Sequence, residues 1–390
     1  MRRPLSFFLA ACISFLAVQP ALAQIGKYVP LQAGTPEDKA FSEISATSDP
    51  AQKLKLIDKF LADFGQGNLA LIAYELYVQF YLAQKDYDKV FEYGEKALAL
   101  DPDNFNAAVT MFRAAQEKGD QQKMVAIGST VADIVARFKA RPAPEGKEPA
   151  GWEAEKSLVL NQVQDNINYV DFSVFKIAYE TQDPMARAAQ LERYAATFST
   201  SQYASQALNM VVAAFQQANN QPRMVEAARK ALAANPENPS ILVLLADHWS
   251  EQGQELDAAE AHARKAIEIL STMPRPEGIT DDQWTQQKSL QTGLAWSAIG
   301  QAQIHRKRDA QAVEAFRTAA PLLKPAAVTY ARNQYRMGFA LINLKRLAEA
   351  RVAFMEAASV ESPYRALAQD KMKGLPAATP AKKSPPRKAG

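Results

Sequence analysis

Residues 293–326 read GLAWSAIGQAQIHRKRDAQAVEAFRTAAPLLKPA, and residues 331–364 read ARNQYRMGFALINLKRLAEARVAFMEAASVESPY. Counted from their first residues, the two stretches carry the same residue types at the same places. Ile299-Gly300 stand where Met337-Gly338 stand, at places 7 and 8. Ala312, Phe316 and Ala319 stand where Ala350, Phe354 and Ala357 stand, at places 20, 24 and 27. Residues three, four and seven apart share one face of a helix, so each stretch predicts two helices. Small residues at places 8, 20 and 27 permit close approach, and the large one at place 24 fills the space left. A single pair cannot bury its apolar face alone, so such pairs stack.

The pattern extends toward the N-terminus. Residues 71–104 carry Tyr74, Tyr77, Val78, Tyr81, Val90, Gly94, Ala97 and Pro102 at places 4, 7, 8, 11, 20, 24, 27 and 32. Residues 205–238 carry Leu208, Val211, Val212, Phe215, Met224, Ala228, Ala231 and Pro236 at those places. Blocks 105–138 and 239–271 fit less well, the latter with one extra residue after Gly253. These places are the hallmarks of the tetratricopeptide motif, which the chain resembles over most of 69–138 and 203–364. The resemblance implies an all-α fold, a right-handed α-solenoid of antiparallel helix pairs.

A longer repeat overlies the short one. Asp49-Pro50, Phe64, Ala73, Lys96-Ala97-Leu98-Ala99 and Pro102 recur 134 residues later as Asp183-Pro184, Phe198, Ala207, Lys230-Ala231-Leu232-Ala233 and Pro236. Pro144-Glu145-Gly146, Trp152 and Lys156-Ser157-Leu158 recur 132 residues later as Pro276-Glu277-Gly278, Trp284 and Lys288-Ser289-Leu290. One unit has been duplicated, with a Pro-rich insertion closing on a Trp-bearing helix in each copy. The expected organisation is a signal peptide (1–23), an extended segment (24–34), a first unit (35–182) and its duplicate (183–323). A final pair with a capping helix (324–375) and a disordered basic tail (376–390) follow. Thr35-Pro36, Asp49-Pro50 and Asp183-Pro184 each place a capping side chain before a first-turn proline.

Charge and cysteine usage narrow the function. Of 45 basic residues, six lie in the first 23 residues and the tail, leaving 39 against 42 acids between them. A body of that balance has no general attraction for nucleic acid. Met1-Arg2-Arg3, the apolar run Leu5 to Val18 and Ala21-Leu22-Ala23 read as a cleavable export signal, which points to the periplasm or a secreted protein. Leu9-Ala10-Ala11-Cys12 offers a lipoprotein alternative, and membrane association is expected only through a lipidated Cys12 or a partner. Cys12 is the only cysteine, so a chain cleaved after Ala23 has neither disulfides nor thiolate metal sites.

Catalytic, cofactor and metal constellations are not found. Three histidines exist, His248, His262 and His305, and Asp247-His248 is the one pairing with a carboxylate. Adjacent residues on a helix do not face each other, so it reads as surface. The aromatics Tyr74, Tyr77, Phe80, Tyr81, Tyr87, Phe91 and Tyr93 fall at core spacing. No enzyme is expected. The leading reading is an exported scaffold that holds a peptide or protein partner.

The resemblance implies where that partner lies. In tetratricopeptide proteins the first helix of each pair lines a groove, which here presents Glu75 and Gln79, then Gln206, Asn209, Gln216 and Gln217. Ser297, Gln301 and His305 follow, then Arg332, Tyr335, Phe339 and Asn343. These side chains either bind a partner or merely face solvent. Trp152 and Trp284 either pin their loops or belong to a partner site. The Lys/Asn carboxylate clamp of the chaperone-binding subclass is absent, since those places hold Glu75/Gln79, Asn209/Ala213, Ser297/Gln301 and Tyr335/Phe339. Two other functions are kept open. One is a cell-envelope or outer-membrane assembly component, suggested by the tail and by Phe198-Ser199-Thr200-Ser201-Gln202-Tyr203-Ala204, which resembles repeats in outer-membrane assembly lipoproteins. The other is an enzyme with a site in the inserted loops.

Overall fold

A computed structural model describes residues 25–376. The expected signal peptide with Cys12, and the tail beyond residue 376, lie outside the described residues. Every regular element among the described residues is an α-helix, and the chain divides by compactness into two units, up to Ala207 and from Leu208 onward.

The first unit contains α1 (Pro36–Ala46), α2 (Pro50–Phe64), α3 (Leu69–Ala83), α4 (Tyr87–Leu100), α5 (Phe105–Lys118), α6 (Gln121–Ala140), α7 (Pro149–Glu180) and α8 (Pro184–Thr197). Helix α9 (Ala204–Gln217) spans the division. The second unit continues with α10 (Gln221–Ala234), α11 (Pro239–Gln252), α12 (Leu256–Thr272), α13 (Asp281–His305), α14 (Asp309–Leu323), α15 (Ala327–Asn343), α16 (Leu347–Ala358) and α17 (Tyr364–Lys373). Within each unit, successive helices pack as hairpins, and the first helix of one pair also meets the first helix of the next, as α3 does α5 and α11 does α13. The chain is an all-α helical repeat protein.

The starts are those the sequence marks. Asp49 accepts from Gln52 N at 2.7 Å, Asp183 from Ala186 N at 2.7 Å and Thr35 from Asp38 N at 3.3 Å, each ahead of a first-turn proline. The turn inside each pair fixes the repeat register more sharply than the side-chain pattern does. Place 15 of the six blocks is left-handed throughout: Lys85 (φ 58), Gly119 (φ 75), Asn219 (φ 54), Gly253 (φ 66), Lys307 (φ 58) and Lys345 (φ 59). The next N–H then reaches back to the carbonyl at place 11, as from Asp86 to Tyr81 (3.0 Å), Asp120 to Ala115 (2.9 Å) and Arg346 to Leu341 (2.9 Å). That is the bond that ends a helix on a left-handed residue. The extra residue after Gly253 is absorbed in the same turn, where Glu255 is also left-handed (φ 47) and α12 starts late.

The core follows the small-and-large rule. A Cβ on Gly300 would meet the Phe316 ring at 2.7 Å, and one on Gly338 the Phe354 ring at 2.6 Å, so places 8 and 24 touch directly. The dense aromatics of the first block are core. Tyr77, Tyr81 and Tyr93 stack with centroids 4.2–6.1 Å apart, and Tyr77 donates to Asp58 at 2.5 Å. The insertions are shorter than the sequence suggested. Irregular chain covers only 141–148 and 273–280, because the Trp-bearing segments are the first turns of the long α7 and α13.

Gly119→Ala isolates the backbone requirement, because no atom lies within 4 Å of the added Cβ. A left-handed alanine costs about 1 kcal/mol. Urea unfolding followed by circular dichroism is expected to show that loss with helix content unchanged.

Candidate functional site

The first helices of the pairs carry the candidate partner-binding residues, and each unit presents its own face. In the first unit the face is built by α3, α5 and α7. Neighbouring helices are tied by side-chain bonds: Gln79 Nε2 donates to Thr110 Oγ1 (3.2 Å) and Arg113 Nη2 to Asn166 Oδ1 (2.7 Å). Asn104, the N-cap of α5, donates from Nδ2 to Glu75 Oε1 at 2.6 Å. Around Glu75, Asp101 and Asn104 lies a cavity of about 350 Å³, walled by Gln162 and Val163 of α7 and rimmed by Lys27 and Tyr28. The segment 25–31 reaches this rim because Lys27 N–H donates to Asp101 Oδ2 (2.8 Å) while Val29 packs near Tyr74 and Leu71. Gln79, Asn106 and Gln162 remain exposed. Burial raises the Glu75 carboxyl above the ordinary carboxylate range, the Asn104 bond partly opposes this, and nearby Asp101 adds to it.

The duplicate supplies an internal comparison. Asn209 stands where Glu75 stands, Asn235 where Asp101 stands and Asn238 where Asn104 stands. Asn238 Nδ2 donates to Asn209 Oδ1 at 2.9 Å, matching the Asn104–Glu75 bond. Asn235 Oδ1 accepts from Glu237 N (3.2 Å) as Asp101 Oδ1 does from Asp103 N (3.1 Å). An amide therefore does the structural work at both places, and the two negative charges of the first copy are additional to it.

In the second unit the face of α11, α13 and α15 is bridged. Arg332 Nη1 lies 2.9 Å from Asp247 Oδ2 and Arg336 Nη1 3.7 Å from Asp247 Oδ1, while Arg336 also pairs with Glu251. The Asp247 carboxylate thus serves arginines rather than His248. Ser297 is fully buried and touches no solvent, so in this conformation it is closed to a partner. Gln301 Nε2 lies 3.3 Å from His305 Nε2, and His305 itself is exposed beside Gly253. Tyr335 and Phe339 hold the end of the array. Their rings pack on Phe354, Tyr335 sits 5.6 Å from Tyr364 of α17, and Lys371 lies 5.1 Å over Phe339. Asn343 Nδ2 donates to Asp309 Oδ1 at 2.8 Å. Gln206 and Gln216 are exposed on α9, as is Gln217, which has a polar or ring contact of its own.

Trp152 is buried, and its Nε1 donates to Arg141 O at 3.0 Å, which pins its loop; Lys147 sits 5.3 Å over the ring. Trp284 is half-buried. The recurring lysine of each insertion has a role that spacing alone did not show. Lys156 Nζ donates to Lys139 O (2.7 Å) and Arg141 O (3.2 Å), and Lys288 Nζ to Ser271 O (3.2 Å), so each caps the end of the preceding helix. Gly146 (φ 81) and Gly278 (φ 83) give both insertions the same left-handed turn. In the segment 198–204, Ser201 Oγ donates to Asp171 Oδ2 (2.7 Å), Tyr194 donates to the same carboxylate, and Tyr203 stacks on Phe175 at 4.9 Å. Among the described residues no group of three His, Cys, Asp or Glu side chains could hold a metal, and no helix is long and apolar enough to cross a membrane.

The raised Glu75 carboxyl binds its proton more tightly in the folded than in the unfolded chain. Stability is therefore lost as pH rises from the ordinary carboxylate value to the raised one, and is level above it. Glu75→Gln keeps an acceptor for Asn104. Denaturant midpoints are expected to match the parent at pH 4 and to exceed it at pH 7.

Residues 331–363 match the tetratricopeptide repeat family model, which is the last of the blocks described above. No curated protein matches the sequence. Among solved structures, the Cut9 and Hcn1 hetero-tetramer of the APC/C is similar at 13% identity with a TM-score of 0.37, over 86% of this chain and 54% of that one. The chain thus spans about half the length of that neighbour. Yeast Tom70 is similar at 10% identity with a TM-score of 0.32, over 86% of this chain and 94% of that one.

Proposed function

We propose that this chain is an exported scaffold that docks an extended segment of a protein partner on the first-helix face of its first unit. The observation that carries this is the contrast between the two faces. The face of α3, α5 and α7 keeps Gln79, Asn106 and Gln162 exposed around the cavity at Glu75, whereas that of α11, α13 and α15 is bridged by its own arginines and acids. Side-chain amides spaced along neighbouring helices suit the alternating N–H and C=O groups of an extended chain. Export rests on the pattern of residues 1–23, and makes Gln24 the first residue of the mature protein. The envelope is then where the partner is met.

Two measurements test the reading. Intact mass of protein recovered from the producing cell's envelope fraction should correspond to a chain starting at Gln24; a full-length or Cys12-lipidated mass overturns the soluble-export part. Pull-down from envelope extract, quantified by mass spectrometry, should give a partner lost on combined Gln79→Ala, Asn106→Ala and Gln162→Ala. Each hydrogen bond contributes about 0.5–1.5 kcal/mol, so a drop of at least tenfold is expected. Retention by that triple variant, with loss on changing Gln216, Gln217 and Gln301 instead, would move the site to the second unit.

A further inference from the structure

The bridge across the second unit joins helices that are not consecutive. Asp247 and Glu251 are four residues apart on α11, Arg332 and Arg336 four apart on α15, and α13 comes between these helices in the stack. Residues at that spacing share one helix face, so the four side chains form a two-rung ladder. Both rungs use arginine, whose planar fork suits carboxylates. The rungs are unequal. Arg336 has only 7% of its side chain exposed and Asp247 25%, while Glu251 has 49%. Burial holds the Arg336 guanidinium below its ordinary value against the pull of Asp247, so its ion pairs do not fully offset its removal from water. On α13, Ser297 is wholly buried and its Oγ has no hydrogen-bond partner, an unsatisfied group that a closed face covers at a cost. A ladder of this kind fixes the geometry of the face more than it stabilises the fold, because the desolvation of Arg336 and the orphaned Ser297 both oppose it.

We propose that the Asp247/Glu251–Arg332/Arg336 ladder is a latch that holds the first-helix face of the second unit shut over α13, and that its release opens Ser297 and Gln301 to a partner. The partner's access rests on the reading that first-helix faces carry the docking groups; the opening itself does not. In the closed state the second unit offers only its exposed rim, and release gives the chain a second docking face.

The experiment reads opening in the full chain with no partner present, so it can fail or succeed independently of the docking proposal. Cys12→Ser with Ser297→Cys leaves one thiol, whose reaction with a maleimide is followed by mass. In this parent the thiol is covered and labelling is slow. Adding Asp247→Asn and Glu251→Gln should raise the rate at least tenfold, and 1 M salt should raise it in the parent through the exposed Glu251 rung. Ala319→Cys, wholly buried in the core of the same unit, is the control. An unchanged Ser297→Cys rate in a chain of parental helix content overturns the latch. So does an equal rise at Ala319→Cys, which would report general loosening. Where the double variant fails to fold, Glu251→Gln alone supplies the test, with a smaller rise expected at Ser297→Cys and none at Ala319→Cys.

Discussion

Everything in this chain depends on two helices of a pair approaching closely enough for a glycine or alanine on one to seat against a ring or aliphatic side chain on the other. Gly300 against Phe316 and Gly338 against Phe354 show the contact in its tightest form. Once the pair is closed, its remaining apolar residues lie on a face that only another pair can cover, and stacking follows. The left-handed residue at place 15 makes that closure repeatable, since it returns the chain at the same angle in each block. Three of the six blocks hold lysine there, at a backbone cost glycine would avoid.

The hairpins were legible in the sequence because close packing restricts residue size at fixed places, and so were the proline starts with their Asp and Thr caps. Blocks 105–138 and 239–271 read weakly because a buried helix tolerates many apolar residues. Their register is set by Gly119 and Gly253, where backbone conformation rather than packing selects the residue. The docking surface was far less legible. Helical spacing says which residues share a face, but not which neighbour covers it. Ser297 and Tyr335 occupy the same place as Glu75, and contacts from distant parts of the chain decide their exposure. The Arg332–Asp247 pair joins residues 85 apart, a separation no local pattern reveals.

Place 5 makes the point concrete. Glu75 and Asn209 each accept from the N-cap asparagine of the next first helix, Ser297 is buried, and Tyr335 packs toward the final helix α17. In all four blocks the place is turned toward the following element. Residues carried over from the family at that place therefore hold repeat to repeat here, whether or not they also meet a ligand. Place 9 varies more: Gln79 ties α3 to α5, Gln301 lies beside His305 within its own helix, and Phe339 lies under Lys371.

The duplication turns these comparisons into an argument about function. Two copies of one unit keep the same asparagine bond, the same insertion turn and the same capping lysine, so those features answer to folding. What differs between copies at matched places is free of that demand. The first copy puts Glu75 and Asp101 where the second has Asn209 and Asn235, and it leaves a cavity beside them. Burying a carboxylate costs more than burying an amide that makes the same bond. A charge that the second copy manages without is better explained by what the first unit meets than by what it must hold together.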